Sequence, residues 1–142
     1  MKKIFFLLFI CISFTSIAQN WQLDFEQAKQ QAQQEKKNIL LVFSGSDWCA
    51  PCIKLDHEIW QSDVFEAHAR ENLVMVKADF PKRKNNQLPE EQSKKNAALA
   101  ERYNPNGYFP FVILLNAKGE IINQLGYKNL APKAYINAIY EN

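Results

Sequence analysis

The chain has 142 residues, 47% of them apolar, which suits one small domain with an ordinary hydrophobic core and no disulfide scaffold. Lysine and arginine number 17 against 15 for aspartate and glutamate, and Lys2 and Lys3 account for the excess. A nucleic-acid footprint needs a basic surplus, so that class of partner is excluded.

The first segment, MKKIFFLLFICISFTSIA (residues 1–18), has a positive start, a short apolar stretch and small residues at Ser16 and Ala18. This pattern predicts a signal peptide cleaved after Ala18, leaving a mature domain over 19–142. The apolar stretch falls short of the ~20 residues that a spanning helix needs, so no stable membrane insertion is expected. Cys11 follows bulky Phe9 and Ile10 rather than the small residues of a lipid-attachment site, and is read as part of the discarded segment. Export would place the domain in the periplasm. In an oxidising compartment its two remaining cysteines, Cys49 and Cys52, can persist as a disulfide.

Residues 24–36 are glutamine-rich, but Phe25, Ala28 and Ala32 recur at helical spacing and predict an amphipathic helix. A short edge strand is expected just before it, at Trp21 and Leu23. The runs 39–43, 73–76 and 111–115 are apolar without alternation, the mark of strands covered on both faces of an α/β sheet. Between the first two, 49–60 and 62–72 carry helical spacing, with Ser62 as N-cap of the second. Strand, helix, strand at this distance predicts a βαβ unit. A polar stretch follows, with a basic cluster at Lys82, Arg83 and Lys84. Pro89 is then placed in the first turn of a helix running through Ala97, Ala98 and Leu99 to about Tyr103. NPNGYFP (104–110) reads as a loop, 111–115 and 120–125 as a hairpin turning at Gly119, and a last helix begins near Pro132. The predicted class is α/β, with a central mixed β-sheet flanked by helices in the order βαβ, α, β-hairpin, α.

Chemistry concentrates at WCAPC (48–52), where a buried strand has just ended and a helix is about to begin. A structural zinc site needs four ligands, and beyond the two cysteines the mature chain has only His57, His68 and carboxylates. His57 lies five residues after Cys52, which on an α-helix turns it away from the cysteine face. No metal and no bound cofactor are therefore expected. A purely structural bridge would close a loop too short to stabilise a domain that already has a core. Redox exchange has positive support. Backbone N–H groups and the helix dipole at a helix start favour a thiolate over a thiol, so Cys49 is expected to be the more acidic. Pro51 fits the first turn, where its missing N–H costs nothing.

WCAPC resembles the active-site motif of thioredoxins, and GYFPFVILLNAKGEIINQLGY (107–127) resembles their strand led by a cis-proline, followed by hairpin and glycine. With LLVFSGSDWCAPC and LVMVKADFP, the chain is most similar to exported bacterial thioredoxin-like proteins, relatives of the thiol-reducing domains of periplasmic disulfide-interchange proteins. The resemblance covers roughly 20–141 and implies a thioredoxin-like fold and a thiol–disulfide oxidoreductase; no dimerisation segment is visible, so a monomer is expected. It implies that Cys49 attacks, that Cys52 resolves, that Trp48 flanks the site, and that Phe109 before a cis-Pro110 offers its backbone to substrate. The implied partners are protein disulfides and an external thiol electron donor, a membrane thiol reductase being one candidate. The proline beside the second cysteine resembles reducing members. The competing class is a non-catalytic binding or assembly module in the cell envelope that keeps the same groove.

Some positions depart from that pattern. Phe43, six residues before Cys49, stands where thioredoxins carry a buried aspartate implicated as proton acceptor for the resolving thiol. His57 stands where they carry a helix-kinking proline, so a straighter helix is expected. The loop before Pro110 is one residue longer, with Pro105 and Tyr108, Phe111 stands where a threonine is common, and 81–96 is longer than in compact thioredoxins.

Overall fold

The structure, a computed structural model, describes residues 20–141; the expected signal peptide and Cys11 lie outside them. Helix α1 (Phe25–Glu35) begins where the Asp24 carboxylate accepts from the Gln27 N–H, and ends at Lys36, which turns left-handed with φ 55°. Strand β1 (Asn38–Ser44) follows, then α2 (Ala50–Leu55), a π-helical turn (Asp56–Trp60), α3 (Asp63–Asn72) and β2 (Leu73–Asp79). Ser62 caps α3 as its sequence predicts, its hydroxyl accepting from the Phe65 N–H. A 3-10 turn (Lys84–Asn86) leads into α4 (Glu90–Tyr103), the hairpin strands β3 (Phe111–Leu115) and β4 (Ile121–Leu125), and α5 (Pro132–Tyr140).

The sheet order is β2-β1-β3-β4, with β1 parallel to β2 and the other pairs antiparallel. This is the mixed α/β sheet that the unbroken apolar runs require. Side chains alternate across β1, so each run supplies two cores. Ile39, Leu41 and Phe43 pack with Phe25, Ala28, Ala32, Leu99 and Tyr103, under α1 and α4. Leu40 and Val42 pack with Leu55, Ile59, Trp60, Phe65 and Tyr135, under α2, α3 and α5. A strand covered on both faces has no polar positions to alternate with.

Three local expectations are corrected. The edge strand at Trp21 and Leu23 reduces to one bridge, Gln22 to Val76, because Leu23 and Asp24 turn at once into α1. Pro89 is the N-cap of α4 rather than a residue of its first turn; its carbonyl receives the Ser93 N–H. The segment at His57 is not a straighter helix. Gln61 N–H reaches back to the Asp56 carbonyl, the i→i+5 bond of a π turn, which widens the helix without any proline.

Candidate active site

Cys49 is the N-cap of α2 and Cys52 lies within its first turn, so the two sulfurs meet across 5.2 Å between Cα atoms and form a disulfide. The Cys52 backbone N–H donates to Cys49 Sγ at 3.3 Å. Cys49 thus sits where unpaired helix N–H groups favour negative charge on sulfur. Cys52 Sγ faces inward and receives the Gly45 N–H at 3.5 Å. The two residues are almost equally enclosed, 4% and 3% exposed, so position on the helix rather than exposure separates them.

The Phe109–Pro110 peptide bond is cis, as the resemblance implies. Pro110, Phe109, Tyr108, Phe111 and Tyr127 line an apolar groove of about 440 Å³ together with Pro51 of the cysteine motif. The Tyr135 hydroxyl, buried and pushed above the usual phenol range by that burial, donates to the carbonyl of Gly126, a lining residue of the groove, at 2.9 Å. Tyr127 and Gly126 were not singled out by sequence, although the glycine after β4 was part of the resembling segment.

Trp48 is 38% exposed and stands between groove and basic loop. Its Nε1 donates to the Phe80 carbonyl at 2.7 Å, its ring meets Phe109 edge-on at 5.3 Å, and Lys82 Nζ lies 3.9 Å above it. Gly45 makes this seat possible, because a Cβ there would come within 2.4 Å of the indole. Asp47 is engaged by the 82–86 segment. Its carboxylate accepts from the backbone N–H groups of Lys82 and Arg83, at 2.9 and 2.8 Å, and from Asn86 Nδ2 at 3.0 Å. The Lys82 and Arg83 backbone donors hold the Asp47 carboxyl below its ordinary range.

That lowered value sets a pH window. A carboxylate stabilised in the fold keeps its contribution above the unfolded value and loses it only as pH falls through the lower folded value. Between pH ~5 and ~8 amide exchange at Lys82 and Arg83 should therefore reflect no titration of Asp47. Asp47→Asn should speed that exchange several times at any pH in this range. Hydrogen-exchange mass spectrometry checks both, and unaltered exchange in the variant would mean the loop is held by other contacts.

Phe43 lies on the other side of the sheet. Counting back from Cys49 reaches it, yet its ring packs against Phe80 and Phe111, with centroids 6.4 Å away in each case, on the α1 and α4 face. Leu40, Val42 and Ser44 are the residues of β1 on the α2 side, and Val42 pairs with Lys77 of β2. His57, expected to turn away, instead lines one cavity with Cys52 beside the π turn. His68 is remote from the site, packed edge-on against Tyr140 at 5.5 Å. Among the described residues no three His, Cys, Asp or Glu side chains cluster as a metal site.

A vicinal cysteine pair at the head of the helix after β1, beside a strand led by a cis-proline, defines a thiol–disulfide oxidoreductase of the thioredoxin fold. The Thioredoxin-like family model matches residues 20–117, and the chain belongs to that family. It is 38% identical over 119 residues to the disulfide bond reductase DsbH of Chlamydia pneumoniae, covering 84% of this chain and 69% of that protein. A solved DsbH oxidoreductase superposes with a TM-score of 0.77 at 35% identity, covering 84% of this chain and 81% of that one. A Thermus thermophilus thioredoxin shares the fold at a TM-score of 0.64 and 14% identity, over 87% of this chain and 85% of its own.

Proposed function

We propose that the protein is an exported reductase of protein disulfides. The Cys49 thiolate attacks a substrate disulfide, releasing one half as a thiol. Cys52 then attacks Cys49 in the mixed disulfide, releasing the second half and leaving the Cys49–Cys52 disulfide. An external thiol donor returns the pair to the dithiol, and no bound cofactor is needed. Trp48 and the Phe109 backbone border the approach of an extended substrate, and Pro110 keeps that backbone edge open beside the sulfurs. The apolar groove gives the side chains flanking the substrate cysteine a place to lie.

The observation that carries this reading is the cysteine pair at the start of α2, with Pro51 between the cysteines lining one groove with the cis Phe109–Pro110 pair. Direction rests on the likeness to a relative named as a reductase. The signal-like segment 1–18 is the reason for placing the protein in the periplasm; among the described residues no helix is long and apolar enough to cross a membrane.

Insulin reduction by the purified protein, compared with the Cys49→Ser, Cys52→Ser double variant, tests the activity. Equal, negligible rates would favour a module that uses the groove for binding alone. The reduction potential of the pair tests direction: a value near −270 mV fits a thioredoxin-like reductant, and one near −120 mV an oxidant. Export predicts that the protein recovered from cells begins at Gln19 without lipid, which N-terminal sequencing checks. Recovery of an intact Met1 in the membrane fraction would refute it.

A further inference from the structure

A second cavity, of about 180 Å³, is lined by Ser44, Ser46, Cys52, Asp56, His57 and Lys77, with Ile53 as its apolar member. It is the place where the inner cysteine meets ionisable side chains. Asp56 follows Cys52 by one helical turn, so both project to the same side. One carboxylate oxygen of Asp56 accepts from Lys77 Nζ at 3.3 Å and the other from the Gln61 side-chain amide. Lys77 is itself held, with Nζ 4.4 Å over the Trp21 ring. The volume admits several waters at ~30 Å³ each, and its lining supplies them with hydroxyl, carboxylate and ammonium partners.

We propose that Asp56 is the proton acceptor for Cys52, acting through water in this cavity, and that Lys77 is the positioning residue for its carboxylate. The proposal rests on the exchange reaction above and adds the group that reaction lacks. A buried thiol resists ionisation and must lose its proton to attack. In resolution the Cys52 Sγ proton passes through water to Asp56 as the Cys52–Cys49 bond forms. The bond from Cys49 to the substrate sulfur breaks, and the departing thiolate takes a proton from solvent or back from Asp56. When a donor thiolate reduces the Cys49–Cys52 disulfide, the path runs in reverse and Cys52 leaves with that proton.

Other charged groups around Cys52 are otherwise engaged or less well placed. Asp79, at the end of β2, accepts from both the backbone N–H and the hydroxyl of Ser46. Asp47 is tied to the 82–86 segment, and Lys54 turns outward to Glu58 and the Tyr127 ring. His57 shares the cavity but is exposed and follows Cys52 by five residues rather than one turn. Cys49 carries the substrate during resolution and has no proton to exchange.

A carboxylate near a thiol has two effects of opposite sign. As a mere charge it disfavours the thiolate, so its removal would speed attack near neutral pH. As a proton acceptor its removal slows attack. The full chain carrying Cys11→Ser, reduced and mixed in a stopped-flow instrument with excess chromogenic aromatic disulfide, separates the steps. A concentration-dependent first phase reports attack by Cys49, and a concentration-independent second phase reports resolution by Cys52. In Asp56→Asn the second phase should slow about tenfold or more at pH 7 while the first is unchanged. Its rate should then climb with pH and rejoin the parent only where Cys52 ionises unaided. Asp56→Glu should restore most of the rate, and His57→Gln should leave the pH profile as it was. A second phase that is unchanged or faster in Asp56→Asn, or slowed only in His57→Gln, would overturn the assignment. So would equal slowing of both phases with no rescue by glutamate, which marks a structural role. Absence of both phases in the parent would instead remove the exchange reaction itself.

Discussion

Cys49→Ser should reduce disulfide-reducing activity to background, by at least about a thousandfold, the scale on which loss of a nucleophile acts. Cys52→Ser should retain the first step and fail at the second, accumulating mixed disulfides through Cys49 at up to one partner per chain. The asymmetry follows from place on the helix. Cys49 receives the Cys52 N–H at the open N-terminus of α2, whereas Cys52 lies a turn below against Gly45 and the inner cavity. Pulse alkylation of the reduced protein near neutral pH reads this difference, because the thiolate is the nucleophile. Mass spectrometry should find Cys49 labelled much faster. Faster labelling of Cys52 would invert the roles.

Phe43→Asp should cripple the fold without helping Cys52. Counting from the cysteine motif makes this the substitution that restores a missing acid, but the side chain belongs to the core beneath α1 and α4. Truncating a buried phenylalanine costs ~3–5 kcal/mol. Burying a carboxylate without a partner adds several more, against a total stability of ~5–15 kcal/mol for a domain. Denaturant titration should show the variant largely unfolded or shifted by at least ~4 kcal/mol. A stable variant whose Cys52 resolves faster would mean that Phe43 communicates with the α2 side after all.

Much of the architecture was legible because each element announced itself by a different physical sign. Unbroken apolar runs marked β1, β2 and β3, Ser62 marked the start of α3, and Gly119, at φ 84°, marked the hairpin. The cysteine pair and the proline at 110 were equally visible, because each has a fixed place relative to a strand end. What stayed hidden depends on rotation and on distance in sequence. The loop 45–48 does not preserve strand alternation, so a count from Cys49 could not tell which face Phe43 takes. The π turn has neither proline nor glycine to betray it, and it leaves His57 on the cavity that an ideal helix would turn it from. The Asp47 clamp joins residues 35 and 36 apart in the chain, beyond the reach of any local pattern.

The two borders of the sheet are unequal. Along β2 the outer backbone is partly occupied, since Gln22 N–H donates to the Met75 carbonyl and its own carbonyl accepts from the Lys77 N–H. Among the described residues no further strand pairs along β4, and Ile121 and Ile122 stand 51% and 40% exposed beside that border. An open border of backbone donors and acceptors is a template for another chain. Its brevity and the register shift at Leu114 and Leu115 blunt the template without closing it. Self-association in concentrated solution therefore has a preferred point of entry at β4, and a single lysine at Ile122 should raise the concentration at which aggregates first scatter light.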